Sequence, residues 1–234
     1  MAHSNKSDCL EDIKGRILSL DFAPGSDLDE ASLSTRYGLS RTPLREILQR
    51  LAGEGYITLI SNRGAKVASM DWSVLRTFFQ TAPTIYANIA FLAAQNRNAA
   101  QLQDLKEIQS EFVQATTVNA PDIAALSNYQ FHKQIGLMAA NPYLMASLNR
   151  LLIDHTRLSQ TFYRPADPEE TALVDKAVSQ HDAMIAAIEK GESSLAMDLT
   201  LQHWDLSRDR LERFVHAAPL PANIVDFKGH KHAV

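Results

Sequence analysis

The segment that most constrains the fold is residues 38–51, a short polar turn followed by an amphipathic helix. Apolar side chains repeat there at helical spacing and predict one buried face: Leu44, Ile47, Leu48 and Leu51. Arg41 and Arg45 fall on its exposed first turns. Either Ser40 or Thr42 can cap the helix, and a proline is tolerated in its first turn. This pattern is typical of a helix-turn-helix, whose second helix reads the DNA major groove.

Length and composition limit the classes of protein to consider. The chain has 234 residues, enough for one large or two modest domains. It has no apolar run long enough to span a bilayer, so we expect no membrane partner. Its N-terminus lacks the apolar core of a signal peptide, which favours a cytoplasmic protein. Cys9 is the only cysteine, which excludes an internal disulfide and a cysteine-cluster zinc site.

The charge is distributed unevenly along the chain. The formal net charge is −4, which by itself is unusual for a nucleic-acid-binding protein. Residues 31–70 carry a net charge of +4, whereas residues 1–30 and residues 71–234 each carry −4. The positive potential is therefore concentrated on the predicted DNA-reading segment, and it is the local field that attracts phosphates.

We predict a winged helix-turn-helix domain over residues 1–70. Helical patterns cover residues 7–20, residues 30–37 and the segment that begins at residue 41, and short strands are predicted at 56–60 and 66–68. Gly55 suits the end of the third helix. The turn between the strands contains Asn62 and Gly64, residue types that tolerate positive φ, so a β-hairpin is expected there.

The remainder of the chain carries only helical patterns. They cover residues 72–96, 100–116, 122–139, 143–162, 169–190 and 193–216. Six helices with short links predict an antiparallel all-helical bundle over residues 71–218. The fold class is therefore mainly α, and residues 219–234 form a tail that we expect to wrap loosely or fray.

A set of spaced positions within residues 10–70 matches the pattern of a known protein family. The positions concerned are Pro24, Gly25, Leu28, Glu30, Leu33, residues 38–46, Leu51, Glu54, Gly55 and residues 64–67. They closely resemble the GntR family of bacterial transcription regulators, and the helical C-terminal half resembles its FadR-like branch, whose effector domain is called FCD. The resemblance implies a homodimer whose winged domains each read half of a short palindromic operator in double-stranded DNA, switched by a small-molecule effector.

The resemblance also implies which residues contact DNA. On the third helix, the matching positions are Ser40, Arg41, Thr42 and Arg45. Arginine paired with guanine is the commonest specific base contact, and one such pair discriminates by about 1–3 kcal/mol. Gly64 at the tip of the wing allows a close approach to the minor groove, with Arg63 beside it. Ala31 stands where some members carry a further arginine, and Arg50 either braces the fold or contacts DNA.

A second pattern consists of Asn128 and three histidines. Asn128 and His132 stand at i and i+4 on one helix face, and His181 and His203 lie on the last two helices. Three imidazoles and an oxygen suit a divalent metal such as zinc or nickel. A single helical histidine is more often a hydrogen-bonded or surface residue than a ligand, so spacing alone is weak support.

The resemblance strengthens the interpretation as a metal site. Many FCD domains bind a metal through an acid or amide four residues before a Phe-His pair, together with histidines at the positions of His181 and His203. Asn128 stands where aspartate is common, which should weaken the affinity and leave the site more cationic. Such a metal would stabilise the bundle or orient an effector carboxylate.

The first helix of the bundle departs from the family pattern. Its segment lacks an arginine that members often carry, and Pro83 is expected to kink the helix. Arg157 is a substitute candidate for binding the effector, with a surface salt bridge as the alternative. The other histidines are interpreted as surface or tail residues: His155, His216, His230 and His232.

These observations leave two classes of function. The first is a ligand-responsive DNA-binding dimer, expected to be a repressor and not an enzyme. The second is a metal-dependent enzyme in the C-terminal half, for which a general base should lie near the metal. A bundle held closed by a structural metal is a further alternative for that half alone. Catalytic turnover would separate the enzyme from the regulator.

Overall fold

The computed structural model describes residues 2–61 and 64–215. The elements in this part of the chain are α1 (Ala2–Leu18), β1 (Asp27–Leu28), α2 (Glu30–Tyr37), α3 (Arg41–Glu54), β2 (Ile57–Ile60), β3 (Gly64–Val67), α4 (Trp72–Asn96), α5 (Ala99–Thr117), α6 (Pro121–Met138), α7 (Pro142–Phe162), α8 (Pro168–Lys190) and α9 (Ser193–Val215). This order confirms the mainly α fold class, with a winged helix-turn-helix followed by a helical bundle. Within these ranges, no helix has both the length and the apolar character needed to cross a membrane.

Local sequence signals set the ends of the two helix-turn-helix helices. α2 begins where the Asp29 side chain accepts hydrogen bonds from two backbone amides, and it ends at Gly38, which has a φ of 61°. α3 follows Ser40 and ends at Gly55, which has a φ of 91°. Glycine is favoured at both ends because other residues are strained at positive φ.

The wing is a three-stranded antiparallel sheet in the order β1-β3-β2. The predicted hairpin is present, with Ile57 opposite Val67 and Ile60 opposite Gly64. The sequence patterns did not predict β1, a strand of only two residues that pairs with β3. The tip of the hairpin at residues 62–63 lies outside the described residues, as does the predicted tail at 219–234.

The core of the winged domain extends onto the bundle. Its fully buried members include Ile13 and Ile17 of α1 and Leu48 and Leu51 of α3. Ile153 of α7 belongs to the same cluster and is completely buried. One helix of the bundle therefore contributes to the core under the DNA-reading elements.

The main core of the bundle lies around α4, which packs against α9 and also contacts α6, α7 and α8. Trp204 of α9 lies with its ring centroid 5.0 Å from that of Tyr86 and 5.5 Å from that of Phe78. Pro83 lies inside α4, which continues on both sides of it. This packing brings the inner faces of α4, α6, α7, α8 and α9 together at the centre of the bundle.

Candidate DNA-binding surface and metal centre

The exposed face of α3 presents polar groups to solvent. Leu44 and Leu48 are buried, whereas Arg41, Thr42 and Arg45 are exposed. These three line a shallow surface groove of about 380 Å³ with Glu46 and Gln49. Among the described residues, neither arginine forms an ion pair or a side-chain hydrogen bond, so both guanidinium groups are available to bind an external partner.

Two other arginines near this face form ion pairs with carboxylates of the protein. Arg50 pairs with Glu54 at 2.9 Å, and Glu54 also pairs with Lys14 of α1 at 2.6 Å. Arg36 lies 3.8 Å from Asp12. The network around Arg50 ties α1 to α3, and this contact favours the bracing role over DNA contact.

The start of α3 has backbone amides that no side chain caps. Ser40 is exposed in extended conformation and its side chain forms no capping hydrogen bond, so the first amides of α3 lack a side-chain cap. Such amides favour anions such as phosphate.

The wing lies against the helix-turn-helix at Gly64. This residue has a φ of 87°, and a Cβ there would lie 3.2 Å from Glu30 Oε1, so this part of the wing lies against the start of α2. Arg63 lies outside the described residues.

The three predicted histidines meet in the centre of the bundle. His132 of α6, His181 of α8 and His203 of α9 offer ligating nitrogens that all lie within 4.8 Å of one another. All three are buried, and the Phe131 ring stacks on His181 at a centroid distance of 3.8 Å. Three separate helices are needed to form this cluster.

Glutamine side chains orient two of the rings. His181 Nδ1 donates to Gln109 Oε1 at 3.1 Å, and His203 Nδ1 donates to Gln180 Oε1 at 3.0 Å. Amide oxygens only accept hydrogen bonds, so each Nδ1 carries the proton and each Nε2 keeps its lone pair. That tautomer is the one that a metal ligand needs.

Burial holds the cluster in its neutral form. Burial is the main cause that lowers the pKa of all four histidines in this region, bringing that of His203 to about 4 and that of His155 to about 3. The pKa values of His132 and His181 also lie well below the usual value, and the neighbouring histidines lower them further. Neutral imidazole is the form that coordinates metals.

Unsatisfied buried atoms provide a test of whether these residues fit a metal. His132 Nε2, His181 Nε2 and Asn128 Oδ1 are buried without a hydrogen-bond partner. Asn128 Nδ2 donates to Ser159 Oγ at 3.5 Å, which leaves the amide oxygen as the free group. Burying such polar atoms unpaired is unfavourable, and a cation would satisfy the Asn128 oxygen and each imidazole nitrogen that carries a lone pair. The donor set therefore fits a divalent metal.

His155 belongs to this region, and its interpretation as a surface residue was wrong. It is buried on α7, its ring centroid lies 5.0 Å from that of His132, and its Nδ1 is hydrogen-bonded to Tyr86 OH at 3.1 Å. Tyr86 faces His132 as well, at 5.2 Å between centroids. Residues 152–160 of α7 are all buried, so this part of the helix is enclosed on every side, and the polar run at 154–157 gave no sequence signal of that burial.

Arg157 is held at the junction between the winged domain and the bundle. Its guanidinium is fully buried, pairs with Asp154 and donates to the carbonyl oxygens of Ala68 and Ser69, between β3 and α4. The alternative of a surface salt bridge is wrong, because the ion pair with Asp154 is buried; the contact with an effector stays a prediction. Arg157 joins α7 to the segment that links the winged domain to the bundle.

Comparison with known families identifies the chain. The family of bacterial regulatory proteins named gntR matches residues 6–67, and the FCD domain matches residues 83–206. The chain is a GntR-family transcription regulator with an FCD domain. The family and the relatives found are transcription regulators and not enzymes, which excludes the enzyme alternative.

Three curated relatives illustrate this membership. The fatty acid metabolism regulator protein of Proteus mirabilis (strain HI4320) is 26% identical over 222 residues, 88% of this chain and 90% of the relative. The HTH-type transcriptional repressor GlaR of Escherichia coli (strain K12) is 26% identical over 198 residues, which span 82% of this chain and 88% of the relative. The Nta operon transcriptional regulator of Aminobacter aminovorans is 25% identical over 134 residues, which span 57% of this chain and 63% of the relative, less than two thirds of its length.

A solved structure shows the same fold. E. coli McbR/YncC superposes with a TM-score of 0.77 at 17% identity, covering 91% of this chain and 99% of that one. This likeness extends over both the winged domain and the helical domain, so it supports the fold of the whole GntR-family chain.

Proposed function

We propose that this GntR-family regulator is a repressor that binds a palindromic operator as a homodimer and is switched by a small carboxylate bound in the helical domain. The observation that carries the DNA-binding part is the exposed face of α3, where the Arg41 and Arg45 guanidinium groups have no partner among the described residues. The name of the related GlaR protein, a repressor, supports the same sign of regulation here.

In this proposal α3 enters the major groove. Arg41 and Arg45 contact base edges or phosphates, Thr42 and Ser40 bind phosphate oxygens, and the uncapped start of α3 adds backbone amides to the same anion. Arg63 and Gly64 approach the minor groove from the wing. Two copies related by a two-fold axis place two recognition helices on the half-sites of one palindrome.

We propose that the metal centre consists of Asn128, His132, His181 and His203 and holds zinc or nickel. A bound ion supplies a Lewis-acidic centre that attracts carboxylate oxygens. The protein contributes four neutral donors, so the charge of the ion stays uncompensated inside the bundle. Arg157 is engaged at the linker, and the ion is therefore the positive group available to anchor an anionic effector.

Two residues beside the metal ligands are placed to contact the same effector. His155 and Tyr86 form a hydrogen-bonded pair at 3.1 Å, and both rings face His132. A second polar group on the effector, such as a hydroxyl, can bind this pair while the carboxylate binds the ion.

The signal in this proposal passes along α7. His155 lies beside the cluster, whereas Ile153, Arg157 and Gln160 of the same helix contact the winged domain or its linker. Gln160 Nε2 donates to Leu18 O at the end of α1. An effector that moves α7 shifts the orientation of the winged domains, with a coupling free energy of about 1–3 kcal/mol.

The purified protein and its selected operator test this proposal. Operators are selected from random double-stranded DNA, and operator affinity is then measured with and without small carboxylates on protein loaded with Zn²⁺ or Ni²⁺. We expect a selected palindrome and a carboxylate that weakens binding about 5–150-fold, the range of a typical coupling. A protein that selects no sequence, or whose affinity no carboxylate changes, contradicts it.

A further inference from the structure

A glutamine on α5 occupies a position that determines how one metal ligand is oriented. Gln109 is 4% exposed, and its amide is hydrogen-bonded on both sides. Its Nε2 donates to Asp182 Oδ1 at 2.9 Å and to Val178 O at 3.3 Å, and its Oε1 accepts from His181 Nδ1 at 3.1 Å. A carboxylate and a carbonyl only accept hydrogen bonds, so rotating the amide by half a turn would set oxygen against oxygen at both contacts.

This arrangement leaves one tautomer for His181. Because the amide oxygen has to face the ring, Nδ1 carries the proton and Nε2 is the atom with the free lone pair. His181 Nε2 is also one of the buried atoms without a hydrogen-bond partner. We propose that Gln109, held by Asp182, is a positioning residue that orients His181 Nε2 toward the metal; this rests on the metal centre proposed above.

The arrangement connects the buried centre to the surface. Asp182 is exposed, and Asp182 and Gln109 line a surface cavity of about 350 Å³ beside Lys106. Asp182 follows His181 directly in sequence, yet it acts on that ring through the amide of another helix. The contact also joins α5 to α8, so the orientation of His181 depends on the packing of these two helices.

The first test measures Zn²⁺ affinity of the full chain by competition with a chelating dye. Gln109→Leu replaces the amide by an alkyl side chain of similar volume and so removes the hydrogen bonds on both sides. We expect the Zn²⁺ affinity to fall about 10–100-fold, as it does when other residues that orient a metal ligand are replaced. Gln103→Leu is the control, because Gln103 lies on the same helix and its amide donates only to exposed Glu107 at 2.9 Å. We expect this control to bind Zn²⁺ like the wild type.

A double substitution separates orientation from simple loss of packing. Gln109→Glu alone sets one carboxylate against another and should weaken Zn²⁺ binding. Gln109→Glu combined with Asp182→Asn keeps the total charge and reverses the hydrogen bond between the two side chains, while an oxygen still accepts from His181 Nδ1. We expect this pair to restore affinity to within a few-fold of wild type. Failure of the pair to exceed Gln109→Glu contradicts the proposal.

The second test needs no metal and distinguishes this inference from the metal site itself. Long-range ¹H–¹⁵N NMR of the metal-free protein at neutral pH reports which nitrogen of His181 is protonated. We expect Nδ1 in the wild type and a mixture or Nε2 in Gln109→Leu. A wild-type ring protonated at Nε2 overturns the proposal. A wild type that binds neither Zn²⁺ nor Ni²⁺ overturns the metal centre, while this measurement still decides what Gln109 does.

Discussion

The single amide Asn128 determines the charge of the proposed metal centre. It is 1% exposed, and its Oδ1 has no hydrogen-bond partner in the part of the chain that the structure describes. An amide oxygen can coordinate a cation, but it brings no negative charge to offset that of the ion. In the proposed centre, the identity of this residue would therefore set both the affinity for the metal and the attraction that remains for an anionic effector.

Asn128→Asp should tighten Zn²⁺ binding. The added carboxylate attracts the ion directly, and we expect at least about a tenfold gain, equivalent to about 1.4 kcal/mol. The measurement is a Zn²⁺ competition titration. Asn88→Asp serves as the control, since Asn88 is exposed and its amide donates to Thr84 O on the same helix. An unchanged affinity in Asn128→Asp would exclude Asn128 from the ligand set.

Cys9 should be unreactive in the native protein. Burial, followed by the nearby Asp12 carboxylate, raises the pKa of its thiol to about 11, and the side chain is completely buried. Only the thiolate reacts, and at pH 8 it amounts to about one thiol in a thousand. A disulfide reagent added at pH 8 should therefore label the native chain very slowly and the denatured chain at once. Rapid labelling would show that the core of the winged domain opens readily.

At the scale of the element, the arginines of α3 stand in two different environments. Arg45 has no partner among the described residues, whereas Arg50 pairs with Glu54 and so joins the contact between α3 and α1. The two side chains stand on one helix only five positions apart. This arrangement offers a matched comparison between a residue that is proposed to contact DNA and one that joins α3 to α1.

Arg45→Ala should weaken operator binding while leaving the fold intact. The loss of one bidentate base contact corresponds to about 1–3 kcal/mol, or about 5–150-fold in affinity. Arg50→Ala should leave operator affinity close to wild type and lower the free energy of unfolding slightly, because it loses an exposed ion pair. Fluorescence anisotropy on the selected operator measures the first effect and thermal unfolding the second. The reverse ranking would mean that α3 presents a different face to DNA.

A parallel substitution tests the metal ligand on α6. His132→Ala should remove most Zn²⁺ binding and the response of operator affinity to an active carboxylate, since it deletes one of three imidazoles. Elemental analysis of the purified protein and anisotropy titrations measure both. If the metal content and the response both equal those of the wild type, His132 is not part of the centre.

At the scale of the whole molecule, α7 joins the two halves of the chain. The buried ion pair of Asp154 and Arg157 lies where α7 meets the linker, and Arg150 also pairs with Asp154 at 3.0 Å. The Arg157 guanidinium donates to two linker carbonyls. Because the same helix carries His155 beside the cluster, α7 offers a rigid connection for the signal proposed above.

Arg157→Leu should destabilise the protein strongly. It leaves the Asp154 carboxylate buried with one partner fewer and two linker carbonyls unpaired, and removing one partner of a buried pair costs about 3–5 kcal/mol. Lys106→Leu is the control, since Lys106 forms an exposed pair with Glu189 at 2.7 Å and such pairs contribute about 0–1 kcal/mol. Chemical denaturation measures both, and a loss below about 1 kcal/mol in Arg157→Leu would contradict the importance of this contact.

The amino-acid sequence by itself determined the helices, the hairpin and the family. The helices at Glu30–Tyr37 and Trp72–Asn96 are predicted to the residue, because Asp29, Gly38 and the apolar periodicity are local signals. Only the tertiary structure decided which faces meet. His155 and Arg157 stand two positions apart on α7, where successive side chains point in different directions, and their surroundings depend on helices far away in sequence. The short strand β1 likewise exists only because β3 pairs with it.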